Sequence, residues 1–520
     1  MTNRDRPTGR QSRIDGAVIA QPLASGVPTS SRNWLKWLVV AIVLLATHGA
    51  TAVYYANRYA RGEVRVGDKP LTLDLSFDDW AAATTGADCS SYLRSAQNVA
   101  ARRGVTIQVP GATPPRTEPF YYWGPGAPMA LGWWLRLVGG HTMFTFFLFA
   151  VAAQVFFGAM AVATVNLYTR NAWALALTAF CTGFCPPLQT WFYGMNLTSS
   201  EIVSLIPLSV LIFALAKGFI AYRAAPIGSW RAAISSRVLR WFGLAGVLIG
   251  LHSLVRDSGA AFATFIACFL IGRAVLADRR RMLLAVATAA IVLAGVAAVR
   301  EPVKLWNQRR ISIFTVCTSS EGAIWRYGLW MRHDQYDWFQ SAGIGFGEYL
   351  DPDAATRVEE YYNAKRPLPE LYSLRQLAQA VAKRPADAVA FKVSRLPVLW
   401  LGTDRWPKVQ WGLVPTWCLG FYLLLLGLVG MRLRHRERIP EPLYLYLLLI
   451  MCASPLIHFE FRYTFPIWNT LVLVPGLLVA TLSRDGQHRD ASKQATSREP
   501  ATAAPVYSSS SARGLHRAER

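Results

Sequence analysis

Apolar residues fall along this chain in blocks of about twenty, separated by short polar stretches. The first block, 35 to 55, is followed by blocks at 142 to 168, 172 to 192, 201 to 220, 239 to 255, 259 to 277, 282 to 299, 411 to 431, 442 to 458 and 465 to 482. A helix rises 1.5 Å per residue, so each block is about as long as the hydrocarbon core of a bilayer is thick. The pattern predicts about ten transmembrane helices and an all-α integral membrane fold. The stretch PMALGWWLRLVGG, 128 to 140, is apolar but too short to span, and its paired tryptophans suit the headgroup zone. It is expected to lie flat at the membrane surface.

Two long segments interrupt the blocks, 57 to 141 and 300 to 410. In the first, Asp88, Tyr92 and Ala96 follow at intervals of four, which puts them on one face of a helix. The second holds two helix-like runs, DAATRVEEYYNAK and YSLRQLAQAVAKR, separated by a proline break, and suggests a small helical domain. The expected organisation is a cytoplasmic tail at 1 to 33, seven helices with their first loop over 34 to 299, a loop domain at 300 to 410, three helices over 411 to 482, and a second tail from 483 to 520. The tails are rich in Ser, Thr, Ala, Arg and Pro and have little to bury.

Charge then orients the helices. The short loops at 169 to 171, 217 to 240, 278 to 281 and 432 to 438 hold thirteen Lys and Arg, whereas those at 193 to 200, 256 to 258 and 459 to 464 hold only Arg256 and Arg462. By the positive-inside rule both termini are expected in the cytoplasm, and the two long segments outside it. No cleavage site of small residues follows the first block, so it is read as a retained anchor. The Ala and Arg richness favours a bacterial plasma membrane. The net charge of +23 is largely this topology signal, and no basic stripe interleaved with aromatics points to nucleic acid. Most of the seven cysteines fall inside apolar blocks without metal-ligand spacing; Cys89 and Cys317 lie on the same outer side and are the pair open to a disulfide. No fixed-period repeat supports an inverted-repeat transporter.

Polar groups gather at the outer helix ends: Asp88, Glu118, Glu201, Arg256 with Asp257, Arg300, His458, Glu460, Arg462 and Tyr463. Ionisable side chains at such depth are costly and point to function or pairing. Carboxylates can take a hydroxyl proton or hold a hard divalent cation, and arginines can stabilise a departing phosphate. Each also has a structural reading, with Asp88 and Glu201 as helix-start charges and Arg256 paired to Asp257.

In order and sidedness, several stretches resemble the GT-C glycosyltransferases of the family 39 type, the protein O-mannosyltransferase and lipid A aminoarabinose transferase superfamily. They are DCSSYLRSAQNVA, PFYYWGPGAPMALGWWLRLVGG, MNLTSSEIVSLIPL, GLAGVLIGLHSLVRDSG, VREPVKLWNQRRISIFTVCTSSEG and HFEFRYTFPI, spread over roughly 85 to 480. The resemblance implies transfer of a sugar, hexosyl or pentosyl, from a polyprenyl-phosphate donor to an extracytoplasmic acceptor, with inversion. It implies Asp88 and Glu201 as catalytic carboxylates or ligands of Mg, Mn or Ca. Tyr92, Glu118, Arg256, His458, Arg462 and Tyr463 would then be substrate-binding, with Arg256, Arg462 and Tyr463 on the donor phosphate. Asp88 is followed by Cys89 where many protein mannosyltransferases carry adjacent acids, and Asp78 and Asp79 lie ten residues upstream, which leaves Asp79 as a reserve carboxylate. A polysaccharide polymerase or a lipid-linked glycan flippase are the competing classes.

Overall fold

The computed structural model describes residues 30–66, 68–84, 88–108, 117–120, 124–194, 196–225, 237–256, 258–312, 316–317, 374–403, 410–435, 437–453 and 464–483. The chain is overwhelmingly helical. Helix α1, Ser30–Ala60, is followed by a short loop region with two small hairpins, β1–β2 (Arg65–Val66, Lys69–Pro70) and β3–β4 (Thr106–Gln108, Thr117–Pro119). That region also carries α2 (Phe77–Ala83), α3 (Asp88–Ala100) and α4 (Gly126–Val138). The bundle continues with α5 (Phe144–Asn166), α6 (Ala172–Gly183), α7 (Pro186–Phe192), α8 (Ser200–Ala224), α9 (Arg237–Val255), α10 (Ser258–Ala277) and α11 (Met282–Ile311). It closes with α12 (Leu374–Lys383), α13 (Pro385–Leu401), α14 (Leu413–Arg434), α15 (Glu441–Ala453) and α16 (Phe465–Leu471), whose apolar run continues to Ser483.

Among the described residues, seven helices are long and apolar enough to cross a membrane, and two shorter apolar helices cover Ala261–Ala277 and Glu441–Cys452. The third expected segment, 172 to 192, is broken into α6 and α7. Pro186 and Pro187 have no N–H to return to the preceding turn. The carbonyl of Gly183, which loses its helical donor at Pro187, instead accepts from Thr51 Oγ1 at 2.7 Å and from the Gln189 amide. Irregular backbone among apolar helices is tolerated only where neighbours satisfy it in this way.

The first long segment is folded onto the bundle. Trp80 of α2 is wholly buried beside Tyr59, near the end of α1. Gly132 of α4 sits where a Cβ would meet Val99 and the Ala96 carbonyl, so α3 and α4 pack at backbone contact. Arg136 of α4 donates to the Val99 and Ala100 carbonyls and so caps α3. The opposite face of α4 exposes Met129, Trp133 and Leu137, with Arg136 stacked on Trp133 at 4.9 Å. This is the stripe expected of a helix lying along a lipid surface.

Of the two helix-like runs in the second long segment, the first lies outside the described residues. The second forms α12, and α13 follows it after one residue. The seventh apolar block does not end near 299: α11 runs on to Ile311 through Pro302.

Charge marks both ends of α8. Near its start is Glu201, and in its last turn Arg223 pairs at 2.5 Å with Glu441, the first residue of α15, which also takes Arg273 of α10 at 2.7 Å. The 22 residues between Glu201 and Arg223 rise about 33 Å, the thickness of a bilayer core with its margins. Glu441 is 1% exposed. Glu441→Leu is expected to leave two arginines facing each other and to cost about 3 kcal/mol, read as a lowered unfolding temperature of the purified protein.

Candidate active site

Helix α3 opens on Asp88 and turns Tyr92 and Ala96 inward with it; Tyr92 is 3% exposed and Ala96 fully buried. Its first turn is tied to the segment that leads into α8, because Thr198 Oγ1 donates to the Cys89 carbonyl at 2.8 Å. That tie brings the Tyr92 hydroxyl within hydrogen-bonding reach of Ser200, in the fields of Asp88, Glu201 and Arg256. Ser200 in turn donates to Glu201 at 3.3 Å. Arg256, just beyond the last turn of α9, forms an ion pair with the buried Glu201 carboxylate.

The site thus joins three separate parts of the chain: the first loop, the start of α8 and the end of α9. Burial, and then the Asp88 charge, hold the Tyr92 phenol far above its usual range, with Glu201 adding in the same direction. Tyr92 is therefore a neutral hydroxyl that donates and accepts, not a base. Burial and the neighbouring Asp88 likewise push the Cys89 thiol up to about 12.

A fourth part supplies the rim. A Cβ on Gly124 would fall 2.1 Å from the Leu254 carbonyl, and one on Gly126 would meet Val255 and Leu254. The two glycines of WGPG let this loop lie directly on the last turn of α9, beside Arg256. Gly124→Ala is expected to push the loop off that turn, costing about 1–3 kcal/mol by overpacking and moving Arg256. The thermal unfolding of the variant and its loss of activity together check this.

The remaining sequence candidates have different places. Glu118 pairs through its backbone with Ile107 in the β3–β4 ladder. Asp79 serves the start of α2: its backbone N–H donates to Ser76 Oγ at 3.1 Å, and Ser76 Oγ donates to its carboxylate at 2.5 Å. That reciprocal capping accounts for Asp79 without a catalytic role. Asp257, His458, Glu460, Arg462 and Tyr463 lie outside the described residues. Cys89 and Cys317, the pair open to a disulfide, are both buried.

The metal reading meets a similar obstacle. Hard divalent cations take six or more oxygens, which for Mg can be one or two carboxylates completed by water and substrate phosphate. Asp88 and Glu201 offer two carboxylates, one already committed to Arg256, and no group of three or more His, Cys, Asp or Glu suited to a metal occurs among the described residues. The described residues alone do not complete a site for Mg, Mn or Ca, and no chemistry is routed through one.

Reading residue by residue passed over Ser200, His252 and the glycine pair at 124 and 126. The available signal for His252 was its spacing, four residues before Arg256 on the same apolar helix.

No family model matches the chain, and no curated protein matches it. Among solved structures, the archaeal oligosaccharyltransferase AglB from Archaeoglobus fulgidus, in complex with an inhibitory peptide and a dolichol-phosphate, is similar at 13% identity and a TM-score of 0.45. That match covers 92% of this chain and 53% of AglB. The same organism's oligosaccharyltransferase tethered to an acceptor peptide containing the NVT sequon is 14% identical with a TM-score of 0.45, over 91% of this chain and 52% of that one. Its complex with Zn and sulfate is 12% identical with a TM-score of 0.47, over 88% and 51%. The chain therefore spans about half the length of the solved structures it matches, and its functional reading rests on its own site.

Proposed function

We propose that this chain is a membrane glycosyltransferase of the GT-C type, one that moves a sugar from a polyprenyl-phosphate donor to an acceptor hydroxyl outside the cytoplasm. The observation that carries the reading is the meeting of Asp88, Tyr92, Glu201 and Arg256 at one end of a bundle of membrane-length helices. A carboxylate, a neutral hydroxyl and an arginine at that depth are the groups such a displacement needs. The motif order along the sequence supports the same reading.

In this mechanism the acceptor oxygen attacks the anomeric carbon as the bond from that carbon to the phosphate oxygen breaks. The hydroxyl proton passes to the Asp88 carboxylate, and the bonding pair leaves with the polyprenyl phosphate. One displacement inverts the anomeric centre. Arg256 stabilises the charge that grows on the leaving phosphate, a role that strengthens in the transition state. Tyr92 and Ser200 orient the Asp88 and Glu201 carboxylates. Arg462 and Tyr463, which precede α16 in the sequence, would add to the phosphate site, and both termini would face the cytoplasm of a bacterial cell.

The test is a comparison of lipid-linked sugars and envelope glycans in cells with and without the protein. Accumulation of one polyprenyl-phosphate sugar together with loss of one residue from one glycan supports transfer and names the acceptor. Loss of whole repeat units with a normal pool of lipid-linked monosaccharide would favour a polymerase or flippase and overturn the reading.

A further inference from the structure

His252 lies in the last turn of α9 with no surface exposed, and neither ring nitrogen has a hydrogen-bond partner among the described residues. An unpaired polar group enclosed in this way destabilises the fold, because the hydrogen bonds it loses to water are not replaced. The other buried histidine of the bundle, His48, shows how such a ring is usually accommodated, with Nδ1 bonded at 2.8 Å to the carbonyl of Leu44 one turn earlier. His252 makes no such bond to its own helix. A leucine or phenylalanine would fill the space without that cost, so packing does not account for the imidazole.

Its position relates it to the active site. Arg256 is four residues further on, and its backbone N–H donates to the His252 carbonyl at 2.7 Å, so the helical turn is unbroken and the two side chains emerge on one face. The guanidinium, 18% exposed, pairs with the more deeply buried Glu201, while the imidazole sits one turn back along the helix with no surface exposed.

We propose that His252 is part of the donor-phosphate site: as a neutral imidazole, it donates one N–H to an oxygen of the lipid phosphate held by Arg256. The other nitrogen then accepts from an Arg256 N–H, so that one ligand satisfies both ring positions. The proposal rests on the lipid-phosphate donor of the preceding section and adds the residue that holds its phosphate from the membrane side. The ring supplies hydrogen bonds and moves no proton, so it is a binding residue for the leaving group.

The experiment measures binding of a sugar-free polyprenyl phosphate, with the uncharged polyprenol as control, to the purified full-length protein in lipid nanodiscs. The wild type, His252→Leu and His252→Gln are compared, each with its unfolding temperature in the absence of lipid. The expected result is that the wild type prefers the phosphate to the alcohol and that His252→Leu loses about tenfold in affinity. His252→Gln, which keeps an N–H, recovers most of that loss. The unliganded Leu variant should unfold no earlier than wild type, since it buries no unpaired nitrogen. Equal binding of the phosphate by wild type and His252→Leu overturns the proposal while leaving the donor reading intact. A wild type that binds phosphate and alcohol alike instead removes the donor reading, and this proposal with it. If the Leu variant is not recovered folded, His252→Met at similar volume serves in its place under the same criteria.

Discussion

Asp88→Asn is expected to leave the protein folded and inserted while lowering sugar transfer by about 10²–10⁴-fold, the usual worth of a positioned general base. Asn is the informative replacement because it begins a helix as well as Asp does, so the start of α3 keeps its stability while the proton acceptor is lost. The Thr198 bond to the Cys89 carbonyl involves no Asp88 side-chain atom and should hold the helix in place. The measurement is turnover of a polyprenyl-phosphate sugar in membranes at matched protein level. Wild-type turnover by the variant would reduce Asp88 to a favourable charge at a helix start.

Glu201→Gln is expected to abolish or sharply lower transfer and, at the same time, to tighten binding of the lipid phosphate. The reason is the ion pair. In the free protein the Arg256 guanidinium is neutralised by Glu201, which is 4% exposed, and an incoming phosphate must compete for it. Removing one member of a buried pair strands the other, at a cost of about 3–5 kcal/mol. Here the stranded arginine is the anion-binding group, so part of that cost is recovered when phosphate binds. The variant should therefore unfold earlier than wild type without ligand and be stabilised more by polyprenyl phosphate, as linkage requires. A gain of about tenfold in affinity is the expected reading. Weaker binding would mean that Glu201 contacts the donor directly and that the pair is no latch.

These two carboxylates show how differently parts of the site could be read from sequence. That Asp88 and Tyr92 share a face follows from a spacing of four, whereas the burial of that face at Tyr92 and Ala96 follows from packing. The pairing of Glu201 with Arg256 spans 55 positions, and the nearest opposite charge to Arg256 in sequence is Asp257. The burial of Cys89 and Cys317 is equally remote from sequence, where only their shared side is visible.

Hydropathy marks the membrane character of the chain, the approximate position of its apolar helices and a short interfacial helix, expected at 128 to 140 and found at Gly126–Val138, while a spacing of four puts Asp88 and Tyr92 on one face of α3. Hydropathy and helical periodicity are properties of neighbouring residues, so they can be read in one dimension. Only the tertiary structure decided that 172 to 192 breaks at Pro186, because the break survives through Thr51 and Gln189, one of them far upstream. The packing of distant helices, likewise, joined Glu441 to two arginines, enclosed His252 with no hydrogen-bond partner among the described residues, and set Gly124 on the end of α9. Such contacts depend on which helices pack together and at what height, and a charge or a glycine acquires its role from the neighbour that packing gives it.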